Sequence, residues 1–514
     1  MFYSVMFPTE KQNNETRKVD VPSYFKDLNL DQIFTPILKS QKNFNLDNFY
    51  YTPLHDPEII IYRQDVMREL EDKELHSLFM EFSKTIRDLD IYMSSVRNSL
   101  ASKDTYKNNY LTRGQMLDYA DRYCTAISKL YNGIAKYNLH SAGLTSFCKY
   151  LSSYCTSEKY LSLSTYVEQL RKEFSTVEYC MFIKNGTIRV RKYEGEADQS
   201  KQILSIFDKF RQGDVKDYRQ TLSETPYASH IESAVLNMVA DLYKDIFANL
   251  NQFCSEFIDF TDEIILRFSC EIQFYLSWLD YIRFCKMEGL PFNYPSLCTS
   301  KEHLYDFDAF DLALASSMGK ETVTNDFVLD FPERILVVTG PNQGGKTTFA
   351  RAFGQIHYLA SLGLCIPGRK SSLYLFDHIY THFGREEDLS TMNGKLQDDL
   401  LRLHDLLEKA TDKSIIIINE IFSSTTLSDA LILGGYMMDE LSSLGSLAVI
   451  VTFLDELASY GAETVSMMSM VDTQNTAIRT YKITRKPPDG LAYALYIAGK
   501  HGLTYDQLCR RLIK

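Results

Sequence analysis

The sequence predicts an α/β domain over residues 301–514, preceded by a mostly α-helical region over residues 51–300. Three observations carry this reading. Ile335-Leu-Val-Val-Thr339 is a short, almost wholly apolar run, the pattern of a strand buried on both faces, and a glycine-rich stretch follows it. Ser414-Ile-Ile-Ile-Ile-Asn419 repeats that pattern and ends on Asn419-Glu420. From Ile231 to Lys286 there is neither proline nor glycine, and apolar residues recur at steps of three and four, the stripe of a helix.

Taken in order, residues 1–50 are polar and rich in Asn and Lys, and are expected to form a short, loosely structured lead-in. At Asp56-Pro57 a helix starts well, because Asp caps free N–H groups and Pro fits the first helical position. Glu58 to Leu75 reads as amphipathic helix, and helical pattern continues to about Ser175, with breaks at Asn132-Gly133 and around Gly143. Residues 179–193 carry two strand-like runs around Asn185-Gly186, a dipeptide that tolerates positive φ and marks a hairpin. On the second run Ile188 and Val190 alternate with Arg189 and Arg191, as on a half-buried strand. Ile231–Lys286 is read as one long packed rod, about 84 Å at the rise of an α-helix, the alternative being two or three shorter helices. Glu288-Gly-Leu-Pro-Phe-Asn-Tyr-Pro295 ends it and reads as a domain junction.

Composition narrows the function classes. The chain has 514 residues, 45% hydrophobic and 24% charged, enough for a large core and more than one domain. Its net charge is −12, and divided at residue 300 both parts are acidic. A non-specific nucleic-acid binder usually shows a basic face, because neutralising phosphate supplies most of its affinity; composition gives no such signal. The 10 cysteines contain no Cys-x-x-Cys pair and sit among apolar neighbours, so they read as reduced core thiols. Met1–Pro8 lacks the basic and long apolar parts of a secretion signal, and no charge-free run is long enough to span a bilayer. The expectation is a cytoplasmic protein with no membrane partner.

The chemistry lies in the glycine-rich stretch. Gly340, Pro341, Asn342, Gln343, Gly344, Gly345, Lys346, Thr347 and Thr348 fit G-x-x-x-x-G-K-[ST]. Glycines let backbone N–H groups wrap phosphate oxygens. Lys346 reaches the β- and γ-phosphates of such a ligand, and the Thr347 hydroxyl holds Mg²⁺. The helix that follows points its positive end at the nucleotide. The second apolar run supplies the partner motif. Most ATPases of this kind have Asp where Asn419 stands, holding Mg²⁺ through water; Asn carries no charge. Glu420 is placed to orient or activate the attacking water. The cofactors expected are ATP and Mg²⁺, with Thr347 and Asn419 as candidate metal-holding groups and Glu420 as the catalytic residue.

These residues resemble the MutS family. The loop Gly340–Thr348, with its Pro-Asn and double Gly, is close to the MutS form. Asp388-Leu389, before a segment ending at Asp399, resembles the stretch that reaches across the MutS dimer. Glu420-Ile421, Thr425 and Asp429 match the segment after the catalytic acid, and Asp489-Gly490, Tyr493, Ala498-Gly499 and Leu503 resemble the closing motif. The likeness is strong over Asp311–Lys514. Upstream it is weaker: Thr52–Pro57 with Arg63 looks like the start of the MutS core, and Ile231–Lys286 like the lever helix. The resemblance implies an α/β P-loop (ABC-type) ATPase domain plus a mostly α-helical core and lever, working as a homodimer. It implies an ATPase that couples nucleotide state to DNA binding, in repair or recombination. The chain reaches the core-like segment by Tyr51, so the mismatch-reading and connector domains are expected to be absent, and branched or other non-standard DNA is expected as partner in place of mismatches.

Some positions depart from the family. Phe453 replaces its His after the strand Leu447–Thr452, the position of the family's adenine-packing aromatic falls near Thr322, which has no ring to stack, and Asn419 lowers the hydrolysis rate expected. The hairpin at 184–186 resembles the second bacterial branch of the family, without its C-terminal nuclease module. Lys184, Arg189, Arg191 and Lys192 are candidates for DNA phosphate, or a solvated edge. Arg385 is a candidate nucleotide contact across a dimer or a surface charge, and His378 and His382 read as packing or surface residues. The rival class is a nucleotide-dependent protein that binds protein or ribosome and no DNA, which the acidic composition favours.

Overall fold

A computed structural model describes residues 2–10, 12, 20–102, 109–196, 230–384, 394–422, 424–472, 479–488 and 503–512. They form two compact units that do not follow linear boundaries at 50 and 300. One unit takes residues 77–138 and 147–269; the other takes 1–76, 139–146 and 270–514. Among the described residues no helix is long and apolar enough to cross a membrane.

The first unit is helical. Its helices include Tyr110–Ile134, Glu158–Ser175 and Lys244–Glu256. Asn109 and Ser157 cap the first two by accepting from Thr112 N (3.0 Å) and Tyr160 N (3.3 Å). The core is aromatic: Phe79, Phe82, Tyr123, Phe147, Phe253 and Phe268 are buried, and Phe147 stacks flat on Phe268. Strands β1 (Tyr179–Lys184) and β2 (Thr187–Lys192) form an antiparallel hairpin. Asn185 (φ 50°) and Gly186 (φ 73°) make its two-residue turn. Ile188 and Val190 are half-buried while Arg189 and Arg191 are exposed.

The single rod read over Ile231–Lys286 is overturned. Three helices cover it: His230–Leu242, Lys244–Glu256 and Glu263–Met287. Tyr243 leaves helical geometry at φ −126°, its hydroxyl donating to Glu178 O at 2.6 Å. Asp262 starts the third helix by accepting from Ile264 N (3.0 Å) and Ile265 N (3.1 Å). An apolar stripe passes through such breaks unchanged, because each short helix still needs a buried face. The stretch 288–295 is not a domain junction either: residues on both sides of it lie in the same compact unit, and the change of unit falls at Cys270. Upstream, the helix starting at Pro57 ends at Glu69, and Asp72 caps the next, Lys73–Leu100. Asn132-Gly133 lies within a helix and breaks nothing.

The second unit is mixed α/β. After β3 (Phe292–Asn293) come β4 (Ser296–Cys298), β5 (His303–Ala309), β6 (Asn325–Asp330) and β7 (Ile335–Thr339). Then follow β8 (Ile366–Pro367), β9 (Lys370–Tyr374), β10 (Ile379–Phe383), β11 (Ile415–Asn419), β12 (Leu447–Val451), β13 (Thr464–Val471) and β14 (Arg479–Arg485). A six-stranded sheet has the order β10-β11-β12-β7-β13-β14, parallel except for β14. A four-stranded sheet has the order β4-β9-β5-β6. β7 and β12 are buried throughout. Helices α1 (Lys346–Ser361), α2 (Lys395–Lys409) and α3 (Leu427–Leu444) cover the large sheet. Ile416 and Ile418 pack with Leu403 of α2 and Met437, Met438 and Leu441 of α3. A methyl on Gly354 of α1 would touch Ile417 on the opposite face.

The first 50 residues are not a loose lead-in. Val5, Met6, Phe7, Phe25, Leu28, Phe34 and Tyr50 are buried. Glu271 accepts from Ser4 Oγ (2.9 Å) and Val5 N (2.8 Å). Tyr358 of α1 donates to Tyr50 O at 2.7 Å, and Tyr50 donates to Phe274 O at 2.9 Å. The polar count misled because it hid a helix, Leu30–Ser40, whose buried residues Leu30, Ile33, Phe34 and Ile37 keep helical spacing, and because Val5, Met6, Phe7 and Phe25 stand apart from it among surface residues.

Asp306 sits in the centre of the four-stranded sheet, fully buried. Burial pushes its carboxyl well above the usual carboxylate range; the Ser371 hydroxyl pulls the other way, and Asp326 and Asp308 add to the rise. A carboxyl whose folded pKa is raised contributes stability at acid pH that is lost as pH climbs through the folded pKa. Asp306→Asn, neutral at every pH, is therefore expected to raise the melting temperature by roughly 2–4 °C near pH 8 and by less at pH 5. Melting curves at the two pH values check it; an equal or lower melting temperature at pH 8 refutes the assignment.

Candidate functional site

The loop between β7 and α1 is built by close packing. Gly340 has φ 110°, Gln343 φ 59° and Gly345 φ 91°. The Ser469 side chain, on the neighbouring strand β13 and fully buried, donates to Gly344 O at 2.7 Å. A Cβ on Gly344 would lie 2.1 Å from Ser469 Oγ and 2.9 Å from Pro341 O. One on Gly340 would lie 3.0 Å from Ser469 O. Two of the glycines are thus needed for space as well as for backbone freedom.

Lys346 opens α1 and is buried. Its ammonium donates to Gly340 O (2.8 Å), Pro341 O (3.2 Å) and Asn342 Oδ1 (3.4 Å). Burial pulls it below the ordinary lysine value, the Glu420 carboxylate opposes this, the Arg479 guanidinium adds to it, and Asp455 opposes it. Asn342 and Gln343 are exposed, and Thr347 and Thr348 half-buried. Thr347 Oγ1 donates to Asn419 Oδ1 at 2.8 Å, tying the loop to the end of β11. Glu420 follows, exposed, with its backbone in the left-handed region (φ 55°) and its N–H donating to Val451 O at 2.9 Å. Left-handed backbone is uncommon outside glycine and is held here by that bond.

The nine loop residues, Asn419 and Glu420 therefore come together at the ends of β7 and β11. The two atoms that meet, Thr347 Oγ1 and Asn419 Oδ1, are oxygens, the ligand type that suits a hard cation such as Mg²⁺. Thr426 caps α3, with Asp429 N donating to its hydroxyl and Asp429 Oδ2 accepting from it at 2.8 Å. Asp399 is buried with His382 Nε2 at 3.3 Å. His378 is exposed, and among the described residues no cluster of His, Cys, Asp or Glu could hold a metal. Phe453 is exposed and Thr322 buried. Arg385, Asp388, Leu389, Asp489, Gly490, Tyr493, Ala498 and Gly499 lie outside the described residues. Sequence reasoning missed Ser469, Asp455 and Arg479, because nothing local marks a residue that reaches the loop only from another element, two from strands and Asp455 from the short helix Asp455–Ser459.

Gly344→Ala is expected to destabilise the chain by roughly 1–3 kcal/mol, the usual range for an overpacked site. Adding Ser469→Ala should recover part of that loss and not all of it, since Pro341 O remains. Urea midpoints of the single and double variants measure this; a silent Gly344→Ala would contradict the packing.

Residues 336–506 match the family model described as MutS domain V. The chain is similar to the DNA mismatch repair protein MutS of Thermotoga petrophila, 25% identical over 275 residues, which are 53% of this chain and 34% of that protein. It is also similar to endonuclease MutS2 of Thermus thermophilus, 31% identical over 37% of this chain and 26% of that protein. A third relative is endonuclease MutS2 of Gemmatimonas aurantiaca, 32% identical over 36% of this chain and 23% of that protein. The chain thus covers between 23% and 34% of the length of these proteins.

Proposed function

We propose that this chain, whose C-terminal region belongs to the MutS family, is an ATPase that binds ATP with Mg²⁺ and couples its nucleotide state to DNA binding. The observation that carries the ATP reading is the 2.8 Å bond from Thr347 to Asn419. It brings a phosphate-type loop and a strand-end acid into one site. In this reading the loop N–H groups hold the β- and γ-phosphates and Lys346 turns from the loop carbonyls to them. Thr347 and Asn419 hold Mg²⁺, which when bound neutralises phosphate charge. Glu420 orients the attacking water, and its fixed, left-handed backbone keeps it at the end of β11. Asn419 brings no charge to the site, so turnover is slow relative to binding.

For DNA, the support is the hairpin β1–β2, which puts exposed Lys184, Arg189 and Arg191 on one face. Arg191 also pairs with Glu196 at 2.7 Å and lies over the Phe182 ring. Cations so displayed suit backbone phosphate better than base edges, which favours branched or other non-standard DNA over recognition of a mismatch. The net charge of −12 favours the second reading, a nucleotide-dependent protein- or ribosome-binding role without DNA. A homodimer working in the cytoplasm belongs to the same proposal.

ATP turnover tests the first part. Glu420→Gln should still bind ATP and Mg²⁺ but hydrolyse it roughly 10²–10⁴-fold more slowly in single turnovers, whereas Lys346→Ala should lose binding itself. Hydrolysis unchanged in Glu420→Gln moves the catalytic role elsewhere.

Fluorescence anisotropy tests the second part. Binding to a duplex should weaken steeply with salt, and Lys184→Ala with Arg189→Ala should lower the salt slope by about 2. A perfect duplex and the same duplex with one G·T pair should bind alike. Preference for the G·T duplex beyond tenfold, or no binding to any duplex, branched or single-stranded DNA, would reject this part.

A further inference from the structure

The hairpin β1–β2 has two unlike faces, and the cations named above use only one of them. Its register sets Tyr179, Met181 and Ile183 of β1 opposite Lys192, Val190 and Ile188 of β2. Side chains alternate between faces along a strand, so these six share a face, apolar except for Lys192. Cys180, Phe182 and Lys184 share the other face with Arg191, Arg189 and Thr187. On the apolar face Ile188 and Val190 are half-buried. Their neighbours on β1 are not: Tyr179 is 44% exposed, Met181 49% and Ile183 67%. Exposure rises towards the turn, and the barest apolar side chain of the hairpin stands just before it.

The charges around Ile183 indicate what it meets. Residues 179–193 hold Lys184, Arg189, Arg191 and Lys192 and no Asp or Glu, in a chain whose net charge is −12. At the base of the hairpin Arg191 pairs with Glu196, and the Lys192 ammonium lies 5.0 Å from the Tyr243 ring. Lys184 and Arg189, nearer the turn, are exposed. An apolar protein groove that took Ile183 would have to desolvate these cations with it. Nucleic acid accommodates both, since phosphates pair with the cations while an aliphatic side chain enters between bases. Opening a stacked base step costs free energy. At a branch point the stack is already interrupted, so that cost is reduced.

Resting on the DNA reading above, we propose that Ile183 is a wedge that enters the gap in base stacking at a DNA branch point, with Lys184 and Arg189 on the flanking phosphates. The cations set how tightly any DNA is held, and Ile183 sets the preference for branched over linear DNA.

Fluorescence anisotropy of the full chain with a fully paired three-way junction and a linear duplex, at one salt concentration, separates the two roles. A 2-aminopurine beside the branch point reports unstacking. The parent should bind the junction about tenfold more tightly than the duplex, the low end of what burying an isoleucine side chain is worth, and should brighten the probe. Ile183→Ser should bind the duplex within about twofold of the parent, because that affinity is electrostatic, but should lose the preference and leave the probe dim. An unchanged melting temperature confirms that this exposed substitution leaves the fold intact. Ile183→Met, which keeps an apolar wedge, should behave like the parent. Lys184→Ala with Arg189→Ala should weaken both DNAs. The proposal is overturned if Ile183→Ser keeps the preference and the brightening, in which case the apolar face meets something other than DNA, such as protein. It is also overturned if the parent binds junction and duplex alike, which leaves the DNA reading standing. A parent chain that binds neither overturns the DNA reading and this one with it.

Discussion

The α/β unit depends on one buried cation. Arg63 is 1% exposed, yet carries a full charge into the core. Its Nε donates to Met6 O at 3.2 Å and its Nη1 to Leu362 O at 3.1 Å, and the guanidinium lies over Phe7 (5.0 Å) and Phe274 (5.3 Å). Burial pulls its pKa down to about 10, while Tyr275 and the Glu271 carboxylate hold it up, so it stays charged at neutral pH. Desolvating a guanidinium is costly unless its donors are satisfied and a counter-charge is near. Here the same contacts that satisfy it join four chain segments: the N-terminal residues, the helix from Pro57, the helix ending at Met287, and the turn that follows α1.

That turn matters because α1 begins at the glycine loop. Its far end is fixed by Arg63 through Leu362, by Tyr358 through Tyr50, and by Trp278 Nε1 donating to Cys365 O at 3.3 Å. Its near end is fixed by Ser469 and Asn419. A helix pinned at both ends positions Lys346 and Thr347 without relying on the ligand for order, which is what a phosphate site needs for preorganisation. The long helix ending at Met287 shares Tyr50 with α1, since Tyr50 bonds both Phe274 O and Ser277 Oγ (3.0 Å). A shift of α1 along its axis must therefore be felt at that helix.

How much of this was legible in the sequence depends on the range of the interactions. The glycine loop, the two buried strands and the Asn185-Gly186 turn are local: each needs particular residue types at fixed spacing, and each could be read directly. The break at Tyr243 and the cap at Asp262 are also local, but an unbroken apolar stripe hid them. The packed N-terminus was not read, because Val5 and Phe7 are buried by elements that include Glu271 and Phe274, far along the chain, while the helical stripe Leu30, Ile33, Phe34 and Ile37 was passed over in a stretch judged by its polar count. Ser469 was missed for the same reason, since it reaches the loop from a strand that follows it by over 100 positions in sequence. Asn419 was visible as a departure, but its bond to Thr347 was not.

The chain order of the α/β unit also bears on its synthesis. The helical unit is complete once residue 269 has been made, and domains tend to fold as they emerge. The N-terminal residues have no such opportunity. Val5, Met6 and Phe7 are made long before Glu271, Phe274 and the turn at Leu362 that bury them. For most of translation this apolar segment has nowhere native to go. These residues thus reach their places long after they are made, and a nascent chain stalled before Glu271 would present them to whatever chaperone or hydrophobic surface is at hand.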